Sequence, residues 1–242
     1  MGTRGIGKGL DDDALDPLWA AIERSELVVF LHPHYGVDSD AWGERNNGHV
    51  LPLALGFPFE TTTVRFHDSE FTVNAIEGYP FLQATARLIL SGVLDRFPSL
   101  RVLLAHAGGV LPQLSSRLAS CVDHDPVVAS RLKHDVRYYL GKLFYDAVAY
   151  GSEELGLVSD VIARSVNYEE HGSSPDKVVN RMVGSQRMFF GTDHPFFPPL
   201  SPTEKWKSVL DNLEAIDNVN GWGKAEIEGV RGGNALALLQ LS

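Results

Sequence analysis

Histidine and aspartate close several short apolar runs in this chain. Leu27–Leu31 runs into His32-Pro33-His34, and Arg101–Ala105 runs into His106-Ala107-Gly108-Gly109. Leu143–Tyr145 runs into Asp146, and Met188–Thr192 runs into Asp193-His194-Pro195. Imidazole and carboxylate suit Zn²⁺ or Mn²⁺, and a catalytic zinc usually takes three protein ligands while keeping one position open. His32 and Asp193 are the ligand candidates. His106 could be a third ligand, or it could move protons, since an imidazole titrates near neutral pH. His34 would face the same side as His32 on a continuing strand, but Pro33 interrupts that continuation. His34 and His194 are therefore assigned to substrate binding or loop shaping. A lone histidine at a strand end is more often a hydrogen-bonded structural residue than a ligand. Strand ends repeatedly carrying His or Asp at the equivalent place favour one shared active site.

The elements that would position these groups alternate. A helix is expected over Asp11–Glu26, where Asp11–Asp13 suit the N-terminus and Leu15, Leu18, Trp19 and Ile22 form one stripe. After the first strand, residues 35–60 are too long for a plain connector. A second helix is expected over 84–97, closed by Phe97-Pro98, and a third over roughly 110–122, after Gly108-Gly109. Ser152 can cap a fourth, with Leu155, Val158 and Ile162 on one side. Ser201-Pro202-Thr203-Glu204 has the form of a capping box, followed by a stripe of Trp206, Val209, Leu210 and Leu213. Asn234–Leu241 reads as a short closing helix. His124, His134 and His171 lie outside the apolar runs and read as surface groups.

Strand–helix alternation implies an α/β fold with a parallel sheet, and ligands gather at the C-terminal ends of such strands. At the spacing of these strand ends, eight strand–helix units would need on the order of 400 residues. The 242 residues thus hold about half of a closed barrel.

A net charge of −10 argues against nucleic acid or an anionic membrane as partner. No apolar stretch approaches a membrane span and no signal peptide opens the chain, so a cytoplasmic protein is expected. Cys121 is the only cysteine, which excludes a disulfide framework, and it reads as a small buried apolar residue. Gly2, Gly5, Gly7 and Gly9 lack the preceding strand that a phosphate-binding loop requires.

Several stretches together resemble a known family. They are Phe30-Leu31-His32-Pro33, Ser91–Arg101 (SGVLDRFPSLR), Leu104–Gly109 (LAHAGG), Phe190–Pro195 (FGTDHP) and Asn234-Ala235-Leu236. They are similar to the amidohydrolase-superfamily decarboxylases, which include aminocarboxymuconate-semialdehyde, γ-resorcylate and isoorotate decarboxylases. His32–Gly36 with His49–Pro58 is most similar to the isoorotate type. The resemblance covers nearly the whole chain. It implies a (β/α)8 TIM-barrel fold, one divalent metal, Zn or Mn, a small aromatic or heteroaromatic carboxylate as substrate, and a homodimer. His32 matches the metal histidine after the fifth strand, His106 the catalytic histidine after the sixth, and Asp193 the metal-bound aspartate after the eighth. Asp193 would donate or relay the proton while His106 holds or polarises the substrate. Arg117 matches an arginine that in some relatives reaches into a partner's site.

Two departures accompany the resemblance. The family's first strand carries a His-x-His or Glu-x-His pair that completes the metal site, and no such pair precedes His32. Residues 1–242 are therefore expected to be one incomplete domain, strands five to eight with their helices, in which metal binding is weakened. Val64–Gln83 also intervenes where relatives run directly from Phe59–Thr63 into the next helix. A GT-starting valine codon and a CAG glutamine codon are the two boundaries of an intron, so this insertion is expected to be a retained one. Two further readings are a superfamily hydrolase of a lactone or amide, and an inactive truncated product. Transcript sequencing is expected to give a mature message without codons 64–83, and a message keeping them in frame rejects the retained intron.

Overall fold

The structure is a computed structural model that describes residues 9–33, 84–170, 180–195 and 197–241. His34, the segment 64–83 and His171 lie outside these residues. A 3-10 turn, Asp13–Leu15, capped by the Asp12 side chain, leads into α1 (Asp16–Arg24) and then β1 (Val28–Leu31). Helices α2 (Ala84–Leu90) and α3 (Val93–Arg96) precede β2 (Arg101–Leu104). The expected single helix over 84–97 breaks at Gly92, whose φ of 72° is left-handed. Then come α4 (Leu111–Asp123), α5 (Pro126–Ala129), α6 (Val136–Leu140) and β3 (Phe144–Asp146). Helices α7 (Ser152–Arg164) and α8 (Arg181–Ser185) lead to the short β4 (Met188–Phe189). The chain continues through α9 (Lys207–Asp217), α10 (Lys224–Glu228), a π-turn (Gly229–Gly233) and α11 (Asn234–Leu239).

The strands form one parallel sheet in the order β1-β2-β3-β4. Register places Leu31, Leu104, Tyr145 and Met188 in a single row across it. Each of the four is fully buried, and with Val29 and Val102 they meet helix residues such as Trp19, Ile22, Leu88 and Leu155 in one core. Side chains alternate along a strand, so the next row, His32, Ala105, Asp146 and Phe189, belongs to the other face. On that face Phe30 is 40% exposed, while Ala105, Asp146 and Phe189 are buried. Aliphatic residues thus fasten the sheet to its helices, and the polar groups fall on the concave side. No helix among the described residues is long and apolar enough to cross a membrane.

Burial corrects several expectations. In α1, Trp19 and Ile22 are buried, and the Trp19 indole N–H donates to Leu10 O at 3.1 Å, but Leu18 is exposed. Cys121 is exposed rather than buried. His134 is half-buried, its ring 4.1 Å from that of Tyr138 and its Nδ1 bonded to Glu169 O. The Ser201–Glu204 motif does not start a helix. Glu204 Oε2 accepts from Leu200 N–H at 2.7 Å and Glu204 N–H donates to Ser201 O, which closes a turn, and α9 begins later. The buried stripe of α9 is Ser208, Asn212, Ala215 and Ile216, with Leu210 exposed. The helix is rotated to turn an amide, not a leucine, toward the sheet.

The π-turn holds the far edge of the sheet. Phe190 N–H donates to Val230 O at 2.8 Å, and the Asn234 amide donates to Ser185 O and Met188 O, both at 2.8 Å. A π-turn breaks the usual helical ladder, and here the Val230 carbonyl serves the chain leaving β4 instead. Asn234→Ala, which leaves two carbonyls without this donor, is expected to cost about 1–3 kcal/mol of stability, measured by urea unfolding.

Candidate active site

In a flat sheet β1 and β4 would lie three strand spacings apart, about 14 Å. Yet one ligand atom each from His32, His106 and Asp193 can be chosen so that all lie within 4.8 Å of one another. The C-terminal ends of the strands therefore curl toward a common point, and His106, at the end of the inner strand β2, stands between the other two. The His32 and His106 ring centroids are 5.2 Å apart, and His106 Nε2 is 3.3 Å from Asp193 Oδ1.

Backbone geometry aims these side chains. His106, Ala107, Gly108 and Gly109 have φ values of 53°, 52°, 78° and 62°, a run of left-handed residues directly after β2. For the two that are not glycine this costs roughly 1–2 kcal/mol each. At Gly108 a Cβ would stand 2.7 Å from the Tyr145 ring, so glycine is required there for space as well. Asp193 and Tyr150 also have positive φ, 52° and 60°. Strained residues of this kind cluster where surrounding structure over-determines them.

The over-determination has two visible sources. Asp146, 6% exposed, accepts at a single oxygen from Ala107 N–H at 2.8 Å and Val148 N–H at 3.1 Å. Asn212, fully buried on α9, accepts from Ala149 N–H at 3.2 Å and Tyr150 N–H at 3.0 Å, and donates to Ser208 O. A hydrogen bond to a charged acceptor contributes about 1.5–3 kcal/mol, enough to offset one or two left-handed residues. Tyr150 in turn places its hydroxyl 3.3 Å from Asp193 Oδ2, donating to it.

The electrostatics follow from these contacts. Burial pushes the Asp193 carboxyl upward, but the hydrogen bond and charge of His106, the Tyr150 hydroxyl and the charge of His32 outweigh it and hold it below the ordinary carboxylate range. Burial raises the Asp146 carboxyl above that range, against the opposing pull of His106 and the two amides. The Tyr150 phenol is raised by burial and by the Asp193 charge, and so keeps its proton.

The donor set fits one divalent cation. Zinc–nitrogen and zinc–oxygen distances of about 2.0–2.2 Å place tetrahedral ligands roughly 3.4 Å apart. The His106–Asp193 separation already matches, and the rest of the cluster, within 4.8 Å, would need to draw in by up to about 1.4 Å. His32 Nδ1 donates to Pro33 O at 2.6 Å. Because the acceptor is a carbonyl, the proton sits on Nδ1 and the Nε2 lone pair is left for a ligand, the orientation metal-binding histidines usually have.

A family model described as Amidohydrolase matches residues 2–155. The chain belongs to the amidohydrolase family. It is 26% identical over 242 residues to 2-amino-3-carboxymuconate-6-semialdehyde decarboxylase of Dictyostelium discoideum, covering 100% of this chain and 52% of that protein. It is 31% identical over 231 residues to 6-methylsalicylic acid decarboxylase of Penicillium expansum, covering 86% of this chain and 60% of that protein. The crystal structure of Metarhizium anisopliae IDCase in apo form matches with a TM-score of 0.76 and 38% identity, over 99% of this chain and 55% of that chain. The chain spans about half the length of the curated relatives it matches.

Of the sequence-predicted site residues of this amidohydrolase, His32, His106 and Asp193 come together. His194 does not join them. It is exposed, with its ring 4.3 Å from that of Trp206 and its N–H donating to Thr192 Oγ1. Arg117 is on the exposed side of α4. Tyr150 and Asn212 were missed. Tyr150 follows a strand too short to show a period, and Asn212 interrupts an apolar stripe, the one signal that marked it.

Proposed function

We propose that this amidohydrolase acts as a metal-dependent, non-oxidative decarboxylase of a small aromatic or heteroaromatic carboxylate. The observation that carries the reading is the convergence of two imidazoles and a carboxylate at the C-terminal ends of parallel strands. The decarboxylase names of its relatives support it. Further support comes from an aromatic pair beside the donors: Tyr150, whose hydroxyl donates to Asp193, packs edge to face with Phe197 at 6.1 Å. Flat aromatic surfaces beside charged groups suit a planar ring bearing a carboxylate.

In this reading residues 1–242 are one domain, the strands answer to the fifth to eighth of a (β/α)8 barrel, and 64–83 is an insertion. His32 and Asp193 hold one divalent cation, Zn or Mn. That cation supplies Lewis-acid polarisation of a substrate oxygen when bound. Asp193 delivers or relays a proton to the ring carbon that bears the carboxylate. The bond from that carbon to the carboxylate then breaks, its electron pair restores the aromatic ring, and CO₂ leaves. One proton is consumed, CO₂ is released, and no electron acceptor is needed. His106, hydrogen-bonded to Asp193, holds or polarises the substrate and keeps the Asp193 carboxylate oriented for the transfer. Tyr150 restrains the other carboxylate oxygen. His194 and His34 are assigned to substrate binding, and Arg117, exposed on α4, reaches toward a second copy in a homodimer.

The test is CO₂ release from a panel of hydroxybenzoates and pyrimidine carboxylates, with Zn²⁺ or Mn²⁺ added or stripped by chelator. Release that requires metal and falls at least 100-fold in Asp193→Asn, about 3 kcal/mol of transition-state stabilisation, supports the reading. Ring opening of a lactone or amide without CO₂ contradicts it.

A further inference from the structure

Asp146 closes the β3 run and is assigned no part in the proton transfer. Its surroundings are unusual for an acid. It is nearly fully buried, in the same sheet row as His32. A buried carboxylate persists only where donors converge on it. Here the donors are Ala107 N–H, the amide directly after His106, and Val148 N–H, on the turn that leads to Tyr150. Beside it lies Gly191, where a Cβ would stand 2.6 Å from Val148 Cγ2, 3.2 Å from Asp146 Cβ and 3.5 Å from Asp146 Cγ. Gly191 is two residues before Asp193. The Asp146 side chain thus bonds the turn carrying His106 and its own strand end, and it fills the space that a side chain at Gly191, on the segment carrying Asp193, would enter.

We propose that Asp146 is the positioning residue of this centre, its buried oxygen locking the left-handed His106 turn and setting the separation of His106 from Asp193. The inference rests on the metal-centre reading above, and its mechanism is geometric. Left-handed φ at His106 and Ala107 is not a resting conformation for L residues. Without an acceptor for the Ala107 amide the turn relaxes, and the imidazole swings off Asp193. An acceptor oxygen is what the turn needs, and the negative charge is secondary. An asparagine side chain has one oxygen able to take both N–H bonds, whereas alanine has none.

Three chains are to be compared: wild type, Asp146→Asn and Asp146→Ala. Zn²⁺ affinity is read by competition with a chromophoric chelator, and amide hydrogen exchange is read at Ala107 and Val148. Outer-shell partners of metal ligands typically carry about 10–100-fold in affinity. Asp146→Ala is expected to bind Zn²⁺ weaker by that factor, at temperatures where circular dichroism matches wild type, and to lose exchange protection at both amides. Asp146→Asn is expected to stay within about threefold of wild-type affinity and to keep the protection. A merely structural role would lower the melting temperature of Asp146→Ala and leave Zn²⁺ affinity of the folded chain unchanged, and that result overturns the proposal. Loss of protection and affinity in Asp146→Asn also overturns it, and this arm decides if Asp146→Ala does not fold. If wild type binds no Zn²⁺, the metal reading fails on its own. The positioning role is then judged by exchange alone: protection lost in Asp146→Ala and kept in Asp146→Asn sustains it, and any other pattern overturns it.

Discussion

Curvature is the constraint on which this site depends. Among the described residues His32 and Asp193 follow the two outer strands of a four-stranded parallel sheet, and an inward curl, continued by the segment from Phe190 to Asp193, brings their donors within 4.8 Å of each other and of His106. Leu31, Leu104, Tyr145 and Met188 form a continuous buried row against the helices, and the next row, which carries His32 and Asp146, belongs to the opposite face. At the last strand the Val230 carbonyl and the Asn234 amide take up the backbone that further pairing would otherwise use.

On that curved frame, four positions next to the chemistry hold left-handed backbone without being glycine: His106, Ala107, Tyr150 and Asp193. The cost of that strain is met locally. Side-chain oxygens of Asp146 and Asn212 take up the amides of Ala107, Val148, Ala149 and Tyr150. Each oxygen accepts two N–H groups: the Asp146 oxygen joins two separate pieces of backbone, and the Asn212 oxygen ties two consecutive amides of one turn to α9. The geometry of the donors is thereby tied to the core instead of being left to the loops.

The parallel sheet was legible in the sequence because apolar runs ending in His or Asp mark both strand and strand end. The same signal found His32, His106 and Asp193. What lay outside it was set by tertiary contacts. The α9 stripe misled because Leu210 looks buried by period, while Asn212 must face inward to reach the Tyr150 turn. The capping-box pattern at Ser201–Glu204 misled because Glu204 finds the Leu200 amide first. Cys121 followed a compositional prior that its place on the solvent side of α4 overrides. Asp146 was visible as a strand end, but nothing in local sequence reveals that its partners come from another strand's turn.

The central claim is that His32 and Asp193 hold one cation beside His106. X-ray absorption spectroscopy of the chain loaded with one equivalent of Zn²⁺ tests it most directly. The account predicts a nitrogen and oxygen shell at about 2.0–2.2 Å with outer-shell imidazole scattering that disappears in His32→Ala. An oxygen-only shell, identical in wild type and His32→Ala, would contradict it.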